Sequence, residues 1–134
     1  MFIDACAIIA VLSDEAEGPR VSDAIVKAKQ RFTSPVAILE TALRLARPDK
    51  FNMSVDAIEP IVMEFLEARG IEVRDLPPAQ RATSLALSAA HRYRQGRHGL
   101  NLGDCLHYAC AKYYRVPILA THDEFRDTDL ETVP

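Results

Sequence analysis

The sequence predicts an α/β protein, a central and mostly parallel sheet sandwiched between helices, in one domain over residues 1–134. Three observations predict it. Short apolar runs of strand length alternate with longer stretches of helical period along the whole chain. Two of those runs, Met1–Ile3 and Val116–Ala120, lack a polar face and read as strands buried on both sides. Both lead into acids, Asp4 and then Asp123, and open α/β sheets place ligands at the carboxyl ends of their strands.

The elements follow in order. Met1–Asp4 is a strand stopped by an acid, and Ala5–Leu12 an apolar helix that Asp4 would cap if it had no other task. After the turn at Ser13-Asp14-Glu15, Glu17–Lys29 is an amphipathic helix with Val21, Ala24, Ile25 and Ala28 on one stripe. Arg31–Thr33 is a second strand. Ser34 caps the next helix and Pro35 takes its first position. Along Pro35–Ala46 the expected inward residues are Val36, Leu39, Leu43 and Ala46, with Glu40 beside them. Ser54 caps a helix that Gly70 ends. Pro60 should kink that helix without breaking it, because Ile58, Ile61, Val62, Phe65 and Leu66 keep one apolar face across it. The two helices together form an αα-hairpin.

Ile71–Arg74 alternates as a third strand, and Pro77-Pro78 stops it. Residues 79–93 form an Ala-rich helix carrying Leu85, Leu87 and Ala90. The basic loop Gly96-Arg97-His98-Gly99 leads to Asn101 and Asp104, which open a helix with Leu102, Leu106, Ala109, Cys110 and Tyr113 at helical spacing. Arg115 closes it, where a cation suits the dipole. The polar tail from Asp127 has room for one short edge strand.

Composition excludes several classes. Hydrophobic residues make up 49% of 134, enough for a core without staples. A net charge of −3 gives no bulk attraction to nucleic acid, so such binding must rest on a local patch. Cys6, Cys105 and Cys110 form no CxxC pair, and an odd count suggests a reduced, cytoplasmic chain. Cys105 and Cys110 point about 140° apart on a helix, which disfavours a shared zinc. No apolar run is long enough to span a membrane. A phosphate-binding Gly-rich loop and a GxSxG elbow are both missing.

Asp4 and Asp123 share one sheet edge, and Asp104 opens the helix that precedes the second of them. Crowded carboxylates cannot all ionise unpaired, and a hard divalent cation, Mg²⁺ or Mn²⁺, is the usual resolution. Such an ion activates water and neutralises charge on a phosphodiester. Asp4 and Asp104 each have capping as the alternative reading. The four histidines read as surface or supporting residues. Arg92, Arg94, Arg97 and His98, with Arg44, Arg47 and Lys50, form a candidate phosphate track.

The order Phe-Ile-Asp4-Ala, Ser-Pro-Val-Ala-Ile-Leu-Glu40, Asn-Leu-Gly-Asp104-Cys-Leu-His-Tyr-Ala, then Thr121-His-Asp123, resembles a PIN domain. With the basic loop before Asn101 it is similar to the VapC-type ribonuclease toxins of toxin–antitoxin pairs. The resemblance implies a metal-dependent endoribonuclease, often a homodimer, acting on RNA (tRNA and rRNA among the candidates) and silenced by a cognate antitoxin that contacts the helical hairpin. It places Asp4, Glu40 and Asp104 as the three core acids and metal ligands. Asp123 stands as the fourth, with Asp127 and Asp129 as alternatives. Arg97, His98, Asn101 and Thr121 would bind substrate. Competing readings are a DNA nuclease of the same fold and a degenerate PIN module that binds RNA or protein without cutting. A dehalogenase-like phosphatase would want a second Asp where Cys6 stands.

Overall fold

Five two-residue strands form one parallel sheet in the order β3-β2-β1-β4-β5. They are β1 (Phe2–Ile3), β2 (Phe32–Thr33), β3 (Glu72–Val73), β4 (Ile118–Leu119) and β5 (Thr132–Val133). Among the described residues, six helices connect them: α1 (Ala5–Leu12), α2 (Gly18–Lys27), α3 (Pro35–Leu45), α4 (Val55–Ala68), α5 (Ala79–Tyr93) and α6 (Leu102–Tyr114). The computed structural model describes residues 1–97 and 99–133. Phe2 and Ile3 point to opposite faces of the central strand and both are fully buried, so helices cover the sheet on both sides. Phe2 meets Phe32 edge-to-face across the β1–β2 pair. β3 is the exposed edge, and the tail supplies β5 at the other edge, as expected.

The chain runs outward from β1 through β2 to β3, then returns to the far side of β1 as β4. The strand order therefore reverses between β1 and β4, and a crevice opens where their carboxyl ends part. Asp4 leaves β1 and residues 121–124 leave β4 at that point.

Two helices sit in a different rotation from the expected one. On α3 the buried residues are Ala37, Thr41, Ala42 and Leu45, while Leu39 and Leu43 are 55% and 51% exposed. Small side chains let α3 approach α1 and α6 closely. Thr41 goes inward because its hydroxyl donates to the Ala37 carbonyl at 2.8 Å, which removes the cost of burying it. On α6, Leu102 is 76% exposed, Leu106 and Tyr113 are half-buried, and the packed face is Asp104, Cys105, His107, Tyr108 and Ala111 together with the expected Ala109 and Cys110. Leu87 on α5 likewise faces out, and Ala82 and Ala89 pack inward. α4 runs unbroken through Pro60 and buries Ile58, Val62, Phe65 and Leu66. The three cysteines are free and buried. Among the described residues, no helix is long and apolar enough to cross a membrane.

Candidate metal centre

Asp4 stands at the N-cap position of α1, yet its side chain makes no capping bond. Its carboxylate is instead 3% exposed and turned into the crevice. Oδ2 accepts the Cys6 thiol at 2.8 Å. Oδ1 is buried and has no hydrogen-bond partner; His107 Nε2 lies 3.3 Å away but outside bonding geometry. A carboxylate oxygen buried without a donor is costly, and a cation would offset that cost.

Asp104 does cap, and it also faces the site. Asn101 and Asp104 form a capping box: the Asp104 N–H donates to Asn101 Oδ1 at 2.8 Å, and the Asn101 N–H donates to Asp104 Oδ2 at 3.0 Å. The box fixes the carboxylate where Asp4 and Glu124 offer oxygens within 4.8 Å of it and of each other. Burial pushes the Asp104 carboxyl up to about 6, and the neighbouring Asp4 and Glu124 charges add to the rise. Glu124 is raised as well, chiefly by burial and then by Asp4.

Glu40 reaches the same crevice from α3. His107 Nε2 donates to its Oε2 at 3.1 Å. The His107 ring is fully buried and lies against Phe2 at 5.6 Å. Burial alone would favour its neutral form, but the facing Asp4 and Glu40 carboxylates outweigh that and raise its pKa. A histidine expected in a surface or supporting place thus supplies the donor between two acids.

Asp123 lies apart from the triad of Asp4, Asp104 and Glu124. Its side chain is half exposed and pairs with Arg126 at 3.0 Å, so the acid that β4 delivers inward is the next residue, Glu124. Asp129 is committed elsewhere, accepting from Tyr108 and Lys112, both at 2.8 Å. Asp127 is exposed. Thr121 donates its N–H to Cys6 Sγ at 3.3 Å, and its own buried hydroxyl has no partner.

The crevice opens into a cleft of about 490 Å³ lined by Asp104, Glu124, Thr121, Asn101, Arg97 and Asp123, with Gly99 and His122. Arg97, expected to contact phosphate, is among these lining residues. Asn101 lines the cleft too, although its side-chain oxygen is occupied by the capping box. His98 lies outside the described residues. Arg92 is drawn to Asp129, Arg47 to Asp49 and Lys50 to Glu15, so these three belong to local ion pairs. A larger hollow of about 860 Å³ lies at the opposite, amino edge of the strands, against Met1, Lys27 and Pro117, and holds no acidic triad.

The all-oxygen set Asp4, Asp104 and Glu124 suits a hard divalent cation. A softer set, Cys6 and His122 with Glu124, shares the crevice. However, burial pushes the Cys6 thiol up and its proton is held by Asp4. A third set, Asp4 and Glu40 with His107, also converges there, but His107 Nε2 is engaged as a donor to Glu40.

Comparison with known proteins identifies the family. A family profile described as PIN domain matches residues 1–130. Ribonuclease VapC30 of Mycobacterium tuberculosis is 34% identical over 99% of this chain and 98% of its own length. Among solved structures, VapC20 of Mycobacterium tuberculosis, titled a Sarcin-Ricin loop cleaving toxin, superposes with a TM-score of 0.76 at 14% identity, covering 98% of this chain and 97% of that one. A chain of a toxin-antitoxin complex from Klebsiella pneumoniae superposes with a TM-score of 0.70 at 14% identity, covering 99% and 96%. A parallel five-stranded sheet with acids gathered at its switch point, matched by profile and by relatives along nearly its full length, makes this chain a member of the PIN domain family, among the VapC ribonucleases.

Proposed function

We propose that the protein is a Mg²⁺- or Mn²⁺-dependent endoribonuclease that hydrolyses RNA phosphodiester bonds as the toxin of a toxin–antitoxin pair in the cytoplasm. The observation that carries the metal reading is Asp4 Oδ1: a buried, unpartnered carboxylate oxygen facing two further carboxylates. Asp4, Asp104 and Glu124 would hold the cation. When bound, it supplies Lewis acidity, which makes water a nucleophile near neutral pH and offsets charge on the phosphate.

The protein's own residues do the rest. Glu40, 33% exposed and gathered with Asp4 and His107, would take a proton from an attacking water. Arg97, which lines the cleft, would draw a phosphate of the RNA backbone toward the acids. Thr121 lines the cleft and is a candidate substrate contact. Asn101 would act indirectly, by fixing Asp104, and Asp123 would act through its pair with Arg126. A cognate antitoxin would cover Leu39, Leu43, Met53, Val55 and Met63, a strip of exposed large apolar residues along α3, α4 and their connection. Self-association as a homodimer and tRNA or rRNA as substrate complete the proposal.

The test is direct. Mn²⁺ binding is measured by calorimetry, and cleavage of RNA is compared with cleavage of single-stranded DNA at equal metal. RNA cleavage that needs Mg²⁺ or Mn²⁺ supports the reading. Preference for DNA would support the other nuclease, and absence of Mn²⁺ binding the degenerate module.

A further inference from the structure

Resting on that reading of the site, we propose that Gly103 and His107, one turn apart on α6, form a built seat for the Glu40 carboxylate, and that both are positioning residues for the cleavage step. Glu40 comes from α3, a separate helix, on a flexible side chain that is one-third exposed. A side chain so free would not hold a reacting geometry without restraint.

Two independent features of α6 restrain it. His107 Nε2 donates to Oε2 at 3.1 Å from a ring that is itself locked by complete burial and by Phe2. On the other side, Oε1 occupies the space that a side chain at position 103 would need: a Cβ built on Gly103 overlaps Glu40 Oε1 and comes within 2.7 Å of Cδ. Gly103 has no left-handed backbone to explain a glycine, and an alanine there would favour the helix. The missing side chain is a notch that admits the carboxylate. Residues four apart stand one above the other on a helix, so the notch and the donor address the same group.

The seat separates the four acids of the crevice into two tasks. Asp4, Asp104 and Glu124 remain as the oxygen triad, and Glu40 is held beside them through His107. A Gly103→Ala change displaces Glu40 cheaply, because the overlapping atoms are the far end of a flexible side chain. Fold and triad stay in place.

The experiment is a pair of double-mutant cycles, Gly103→Ala and His107→Gln each crossed with Glu40→Gln, read by single-turnover RNA cleavage, Mn²⁺ calorimetry and thermal unfolding. Gly103→Ala should lower the cleavage rate by about 10–100-fold, the cost of a misplaced group. It should keep Mn²⁺ affinity within about twofold, since a group outside the ligand set contributes little to it. The melting temperature should be equal or higher. Neither change should add a loss on the Glu40→Gln background. Losses that multiply with that of Glu40→Gln, or wild-type cleavage by Gly103→Ala, would overturn the seat. If His107→Gln does not fold, Gly103→Ala alone decides. Full cleavage by Glu40→Gln itself would instead remove Glu40 from the site and so count against the underlying reading.

Discussion

Asp104 sits in the first turn of α6 and Asp129 lies against the same helix at Tyr108 and Lys112, and their surroundings are opposite. Asp104 faces Asp4 and Glu124 and receives only the backbone N–H of Asn101. Asp129 receives Tyr108 and Lys112, with the Tyr93 hydroxyl at 3.3 Å and Arg92 at 3.8 Å. Burial and like charges raise the Asp104 carboxyl to about 6. Around Asp129, some desolvation is outweighed by Lys112 and Tyr108, which hold it down at about 2. The same residue type is thus a tie between α5, α6 and the tail in one place, and one of three crowded carboxylates in the other.

The sharpest way to break the contrast is to neutralise one acid on each side. Asp104→Asn or Asp4→Asn should lower RNA cleavage and Mn²⁺ affinity together, by about 100-fold or more, since ligands outweigh the 10–100-fold typical of their supporting partners. In EDTA either variant should be as stable as wild type or more so, because crowding is relieved. Asn also preserves the Asn101 cap at position 104, so unchanged cleavage would return Asp104 to a capping role alone. Next in size, Glu124→Gln should cost about 10-fold or more in cleavage, and Asp123→Asn less than about threefold, by the same scale for ligand and neighbour. A reversed order would make Asp123 the fourth acid.

On the other side, Asp129→Asn should leave Mn²⁺ affinity intact and cost about 1–2 kcal/mol in urea unfolding. The lower part of the range for charged hydrogen bonds applies because the side chain is partly exposed. The smallest expected effect is in pH dependence, and there the two acids have opposite signs. Between pH about 4 and 6 folded Asp104 keeps a proton that the unfolded chain has lost, so it lowers stability as pH rises through that window. Asp129 is depressed in the fold, so its stabilisation is present above about pH 4 and lost as pH falls toward 2. Metal-free stability curves of wild type, Asp104→Asn and Asp129→Asn separate the two slopes, and Mn²⁺ affinity should climb until pH passes about 6.

Much of this was legible in the sequence, for identifiable reasons. The sheet could be read because its buried strands have no polar face, and Asp4 because it directly follows one of them. Asp104 was legible through its cap, since Asn101-Leu-Gly-Asp104 fixes both the helix start and the carboxylate. Glu124 was not, because the strand period ends at β4 and the turn after it re-aims each residue; Asp123 and Glu124 are indistinguishable there without coordinates. His107 was hidden by a rotation of α6. Leu102, Leu106 and Tyr113 suggested one apolar face, whereas the helix packs on several sides and buries the histidine. The α3 face was missed for the converse reason: alanines and a self-satisfied threonine packed inward and left two leucines outside. Gly103 carried no signal of its own, and the position of Glu40 accounts for it.

The parallel order β3-β2-β1-β4-β5 also has a consequence in time. β1 pairs with β4, more than a hundred residues later, and the crevice needs Asp4 from one and Glu124 from beyond the other. A chain emerging from a ribosome presents Asp4 first and waits for almost everything else before that strand gains its second neighbour. The half-made enzyme can pair β1 with β2 and β3, but it has neither α6 nor the end of β4, and so neither Asp104 nor Glu124. The acidic cluster is therefore complete only when nearly the whole chain has been made.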